Sequence, residues 1–188
     1  MRRLIHVPII HAPEDFGSHL EAVRKAYVSR HGIRGWQQHL RSVKQFWEDV
    51  RRLARPLAKT AATLRIYQDG LPVCGREVPL VRELAAQGSE NHRLLLELME
   101  RGAVVMGTED PDLLRQEHER CRRLGALLEV APGAHYDELM ERRDSYIAAR
   151  IDATLGGEPE MGLLFMGALH KVVERLPQDI HLTRLPGN

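Results

Sequence analysis

Histidines and carboxylates follow four apolar segments that lie far apart along the chain. His11 is the last residue of RLIHVPIIH, and Asp69 directly follows ATLRIYQ. Glu109 lies two residues after the end of AVVMG, and His170 lies three residues after the end of MGLLFMG. A histidine beside a carboxylate can transfer protons in general acid–base catalysis, and both side chains can bind a divalent metal. These residues can share a site only if the fold brings the ends of the four segments together.

The same residues have structural interpretations when each is taken alone. Asp69 precedes a glycine, a pair that is typical of a turn. Asp110 has the position of a helix N-cap, so its neighbour Glu109 is the carboxylate that we expect to be reactive. His11 and His170 could each be a structural histidine held by hydrogen bonds. The convergence of the four segments, rather than any single residue, indicates function.

The four segments have the length and composition of buried strands, and helical patterns separate them. A further strand is predicted in DIHLTRL, near the C-terminal end of the sequence. Strands that alternate with helices are typical of an α/β protein with a mainly parallel sheet. We therefore predict a single α/β domain over residues 1–188, with a mainly parallel sheet of about four to five strands and helices on both faces.

The clearest helical pattern covers residues 36–57, where large apolar residues recur every three or four positions. Weaker patterns predict helices over about 18–30 and 168–175. A proline at the first helical position and an acidic first turn predict that a helix begins at 111. Each of these helices must pack its apolar side on the sheet.

The predicted helix 134–155 carries charged residues on its apolar face. Arg143 and Asp144 lie on the same face as Met140, Ile147 and Ile151. Burying an ion on such a face costs several kcal/mol unless the ion is paired. Two interpretations follow: a structural ion pair with another helix, or an arginine that reaches the strand ends and binds an anionic group there.

In open parallel sheets, ligands bind at the carboxyl ends of the strands, where the strand order reverses. A glycine at the end of a strand lets the backbone approach a ligand closely. The predicted site thus contains groups for proton transfer and groups that bind substrate, namely His11, Asp69, Glu109 and His170 for the first and Arg143 and Gly167 for the second.

Composition excludes several other classes. The net charge of +1 gives no argument for nucleic acid or an anionic membrane as partner. The two cysteines make neither a disulfide framework nor a metal-binding pair, which favours a cytoplasmic protein. The N-terminal segment lacks the pattern of a signal peptide, and no apolar run approaches the roughly 20 residues that cross a bilayer. Sequence motifs for nucleotide-binding loops, HExxH zinc sites and GxSxG nucleophiles are absent.

The segment RRDSYIAARIDATL, followed by GLLFMGALH, resembles the C-terminal signature of the TraB/ChaN/erythromycin-esterase superfamily. In this resemblance Arg143 matches the arginine of the signature, and Gly167 and His170 match its strand-end pair. His11 and Asp69 are the candidates for the family's first-strand histidine and strand-end acid. The resemblance implies an α/β fold and hydrolysis of esters or peptides, sometimes with a metal, or the binding of haem iron.

The leading hypothesis is a hydrolase of an ester or peptide bond, acting on a small molecule or a peptide. His170 would activate water as a general base or help to hold a divalent metal, and Arg143 would stabilise negative charge. The identity of any metal and the formation of a homo-oligomer are left open. Two alternatives are a non-catalytic module that binds a small anion, nucleotide or metal, and a structural protein whose charges are internal ion pairs.

Overall fold

A computed structural model describes residues 1–9, 20–60, 63–124 and 137–185. The strands within these residues are β1 (Arg2–Ile9), β2 (Thr63–Gln68), β3 (Val104–Met106), β4 (Glu160–Gly167) and β5 (Ile180–Arg184). They form one parallel sheet with the order β3-β2-β4-β1-β5. The prediction of an α/β fold with a mainly parallel sheet is confirmed.

The helices of the described residues connect these strands. They are α1 (Leu20–Ala54), α2 (Leu57–Thr60), α3 (Glu77–Ala86), α4 (Glu90–Met99), α5 (Pro111–Leu124) and α6 (Glu138–Thr154), with a short 3-10 helix over Val172–Arg175. None of the helices in the described ranges is both long and apolar enough to cross a membrane.

Helices cover both faces of the sheet. Successive strand residues point to opposite faces, so each face carries apolar side chains that a layer of helices buries. On one face, α1, α3 and α4 pack on a core that includes Trp47 and Phe165. On the other face, α6 and the 3-10 helix pack on a second core that includes Tyr67, Ile147 and Leu164. The strands in the centre of the sheet are therefore buried on both sides.

The strand order reverses between β2 and β4, which are neighbours in the sheet. From β2 the chain continues to β3 at one edge, and from β4 it continues to β5 at the opposite edge. Connections that leave in opposite directions open a crevice at the carboxyl ends of such a strand pair. The fold thus places its most favourable ligand position next to Asp69 and Gly167.

The structure differs from the sequence prediction in two helical segments. Helix α1 extends over both predicted helices and breaks at Gly32, whose φ of 70° favours glycine. The predicted helix over 168–175 is wrong before residue 172, because the chain turns there with a hydrogen bond from His170 N to Gly167 O. Asp144 also accepts a hydrogen bond from Lys171 N, and this contact holds the turn in place of a helical first turn.

Candidate functional site

The carboxyl edge of the sheet brings together side chains from three strand ends. Asp69 directly follows β2, and its backbone N–H extends the pairing with β4 by donating to Phe165 O. Glu109 follows β3, and its backbone groups contact the loop after β2 through Leu71 and Val73. His170 follows β4 by three residues. These local contacts fix the backbone from which the charged side chains project.

Arg143 of α6 makes a two-pronged ion pair with Glu109. Its Nε lies 2.7 Å from Glu109 Oε2 and its Nη2 lies 2.9 Å from Oε1. Gly70 N also donates to Glu109 Oε1 at 2.7 Å. This planar, bidentate geometry is the strongest form of an arginine–carboxylate contact. Glu109 and Arg143 therefore join α6 rigidly to the loops after β2 and β3.

Asp69 lies between Arg143, His170 and the end of β4, and it contacts all three. Its Oδ2 accepts a hydrogen bond from Gly167 N at 3.0 Å. Its Oδ1 lies 3.4 Å from Arg143 Nη2 and 3.5 Å from His170 Nε2. Both distances are long for charged partners, so Oδ1 is held by charge more than by short hydrogen bonds.

The His170 ring lies between two carboxylates. Its Nδ1 is 2.5 Å from Asp144 Oδ1, while its Nε2 faces Asp69 Oδ1. Asp144 is fixed in turn, because its Oδ2 accepts from Lys171 N at 2.6 Å. A carboxylate at Nδ1 fixes the orientation of the ring and leaves Nε2 to interact with other groups.

The surrounding charges keep the imidazole protonated. Burial lowers the pKa of His170, but the charge of Asp69 and the hydrogen bond to Asp144 outweigh it and raise that pKa to about 10. Burial has the opposite effect on the Glu109 carboxyl and raises its pKa, and the hydrogen bonds from Arg143 offset only part of this rise. The bidentate contact with a guanidinium favours the ionised carboxylate. The site thus groups three carboxyl side chains around the Arg143 guanidinium and the protonated imidazole of His170.

Exposure differs between the carboxylates. The side chains of Glu109 and Asp144 are 0% exposed, whereas that of Asp69 is 12% exposed. Ala168 and Leu169, in the turn before His170, are exposed. Asp69 is thus the carboxylate that a substrate can reach, and the turn after β4 borders the approach to it.

The structure brings five of the six predicted site residues together, and it changes the geometry expected for some of them. The sixth, His11, lies outside the described residues. Glu109 was predicted to be reactive, and the structure encloses its carboxylate against Arg143 and the backbone of Gly70. Arg143 was predicted to bind an anion, and its guanidinium is already engaged by Glu109 and Asp69.

Asp144 belongs to the site although the sequence analysis did not assign it there. The sequence signal was available, because Asp144 follows Arg143 on the apolar face of α6. Its partner could not be identified, since a helical pattern does not say which distant histidine an aspartate will meet. Within the described ranges, no group of three or more His, Cys, Asp and Glu side chains is arranged to hold a metal ion.

Comparisons with models of known families, with curated proteins and with solved structures found no match to this chain. The resemblance to the TraB/ChaN/erythromycin-esterase superfamily therefore stays a prediction.

Proposed function

We propose that this protein is a hydrolase of an ester or peptide bond and that Asp69 and His170 carry out its proton transfers. One observation carries the proposal: both ring nitrogens of His170 face carboxylates at the carboxyl edge of the sheet, Nδ1 at Asp144 and Nε2 at Asp69. A histidine held in this way has one nitrogen fixed and the other available to a reacting group.

The protonation state assigns the roles. Because Asp69 and Asp144 keep His170 protonated, His170 Nε2 is the proton donor, which replaces the general-base role that the sequence suggested. Asp69 accepts a proton from water as the hydroxyl oxygen attacks the carbonyl carbon. His170 then protonates the leaving alcohol or amine, and the proton on Asp69 returns to His170 across the 3.5 Å between them.

Three further residues position this pair. Arg143 holds Asp69 Oδ1 at 3.4 Å, and Glu109 fixes the arginine. Gly167 N–H holds the other carboxylate oxygen of Asp69. Each removes a degree of freedom from Asp69, and such preorganisation is a large part of catalysis by positioned groups.

Burial supports a second candidate, in which the same charges form a structural ion-pair network. The side chains of Glu109 and Asp144 are fully buried, and that of His170 is only 5% exposed. Buried ions must be paired to be tolerated, whatever the function of the site. A structural network would contribute to stability without any turnover, so activity and stability measurements distinguish the two candidates.

The test is a panel of chromogenic esters and fluorogenic peptides, assayed with and without a chelator. We expect hydrolysis by the wild-type protein and a loss of about 100-fold or more in kcat for His170→Gln, the usual range for removal of a general acid. His181→Gln is the matched control, because His181 is exposed on β5 and should leave kcat unchanged. Loss of activity with chelator would support a metal-dependent reaction.

Two outcomes would contradict the hydrolase. The first is no hydrolysis of any substrate by the wild-type protein while His170→Gln lowers the melting temperature, which favours the structural network. The second is equal hydrolysis by the wild-type protein and His170→Gln, which places the activity elsewhere. A ligand that raises the melting temperature without product formation would favour the binding module.

A further inference from the structure

The longest helix contains a stretch without acidic residues. Residues 22–47 carry six Lys and Arg and two His but no Asp or Glu. The rest of the chain contains all 26 acidic residues but only 21 of the 27 Lys and Arg. The net charge of +1 therefore conceals a strongly basic segment within an otherwise acidic chain.

The cations of this stretch point to solvent along α1. We call them the basic face of α1, and all six are exposed: Arg24, Lys25, Arg30, Arg34, Arg41 and Lys44. Beyond the break at Gly32, Val43, Phe46 and Trp47 point into the core, on the side of the helix opposite Arg34, Arg41 and Lys44. The packing of that side of the helix thus forces these three charges onto the other side.

Two of these cations lie close to carboxylates of α1 itself. Arg24 lies 3.3 Å from Glu21, and Lys44 lies 4.0 Å from Glu48. Among the residues that the structure describes, Arg34 and Arg41 have no carboxylate within ion-pair distance. Such cations attract the phosphates of a nucleic acid, whose counterions are released on binding.

Aromatic rings lie beside the basic face, around the break at Gly32. Tyr27 packs 4.6 Å from His31, 5.0 Å from His39 and 5.5 Å from Trp36, measured between ring centroids. His31 is exposed and Tyr27 and His39 are partly exposed. Rings that accompany a row of cations are the combination that binds single-stranded nucleic acid, because unpaired bases stack on them.

We propose that the basic face of α1, with the rings of Tyr27, His31 and His39, binds single-stranded nucleic acid. An anionic membrane is the other polyanion to consider, but membrane-binding helices bury several large apolar side chains. Of the described residues in α1, Ile33 is the exposed large apolar one, at 48% exposure. The proposal is independent of the hydrolase, because it uses no residue of that site.

The test measures binding of a labelled single-stranded 20-mer by fluorescence anisotropy at several salt concentrations. Arg34, Arg41 and Lys44 span about 15 Å of helix, so about three phosphate contacts are expected. Three contacts predict that log K falls with log salt with a slope of about −2. Arg34→Glu/Arg41→Glu should weaken binding at least tenfold.

The matched control is Arg82→Glu/Arg101→Glu, which makes the same change in net charge at exposed positions outside α1. It should change the dissociation constant less than twofold. Arg34→Gln/Arg41→Gln repeats the test if the reversal variant loses its helical circular dichroism. No binding by the wild-type protein, or equal weakening in the control, would overturn the proposal. So would binding to phosphatidylserine vesicles with none to the 20-mer.

Discussion

Asp69 joins the Glu109–Arg143 pair to the His170–Asp144 pair. It contacts Arg143, His170 and the backbone of Gly167, and these belong to three different parts of the chain. It is also more exposed than the two other carboxylates of the site. A residue that is both the centre of an ion-pair network and its most accessible carboxylate can couple substrate chemistry to the protonation of His170.

Removing one member of the Glu109–Arg143 pair should be strongly destabilising. Glu109→Gln leaves the guanidinium buried beside an amide, and breaking a buried pair costs about 3–5 kcal/mol in the free energy of unfolding. Urea denaturation measures this loss. Asp49→Asn breaks the exposed pair with Arg52 and should change the free energy of unfolding far less, because solvent screens that pair. Equal losses in the two variants would show that the buried pair is not rigidly held.

The raised pKa of His170 predicts a dependence of stability on pH. Because the folded value is about 10 and an unfolded histidine titrates near 6.5, folding favours the protonated ring. The resulting stabilisation is complete below about pH 6.5 and disappears as pH rises towards 10. Urea midpoints at pH 6, 8 and 10 measure it, with the difference between the wild-type protein and His170→Gln isolating this residue. A difference that stays constant across this range would refute the raised pKa.

At the scale of elements, β4 and α6 position most of the site. Helix α6 supplies two consecutive residues of the site. Arg143 pairs with Glu109, and Asp144 contacts His170. Strand β4 ends in Gly167, whose N–H holds Asp69, and the turn after it presents His170. The site thus depends on how α6 packs against the end of the sheet.

The end of β4 can be tested by adding a single methyl group. In Gly167→Ala the new Cβ would lie 3.0 Å from Asp69 Oδ2, so the carboxylate must shift by a few tenths of an ångström. We expect about a tenfold fall in kcat, because small displacements of reacting groups are costly. Gly157→Ala is the control, since nothing lies within 4 Å of its Cβ and kcat should not change. Unchanged kcat in Gly167→Ala would mean that the position of Asp69 is unimportant.

Strands and helices were predictable from the sequence where the pattern of neighbouring residues determines them. Strand composition and helical periodicity predicted the strands and most helices, and Asp110 caps α5 as expected, accepting from the N–H groups of Asp112 and Leu113. The turn at 168–171 was not predictable, because Asp144 holds it from another element. The position of β4 between β1 and β2 also depends on packing over long separations in the chain.

At the scale of the whole molecule, the sheet order explains why the predicted residues meet. The general rule for parallel sheets placed the strand ends at one edge, and the reversal between β2 and β4 selected which ends are adjacent. The pairing within the site could not be derived in this way. Which cation faces which carboxylate depends on side-chain geometry, so the contacts of Glu109, Arg143 and His170 could not be predicted.

Charge is also organised at this scale. The carboxyl edge holds a compact group of paired ions, whereas α1 carries six exposed cations in a stretch without acidic residues. Net charge averaged over the chain describes neither region. Two separate functions, proton transfer at the sheet edge and binding of a polyanion along α1, are therefore compatible within one fold.

The dependence of kcat/KM on pH for ester hydrolysis, corrected for the spontaneous reaction, tests the central claim most directly. If protonated His170 is the general acid, kcat/KM of the wild-type protein will fall at alkaline pH with an apparent pKa of about 10. In His170→Gln this decrease will be absent and kcat/KM about 100-fold lower. A wild-type rate that rises through pH 10, or a His170→Gln profile equal to that of the wild-type protein, would contradict the account.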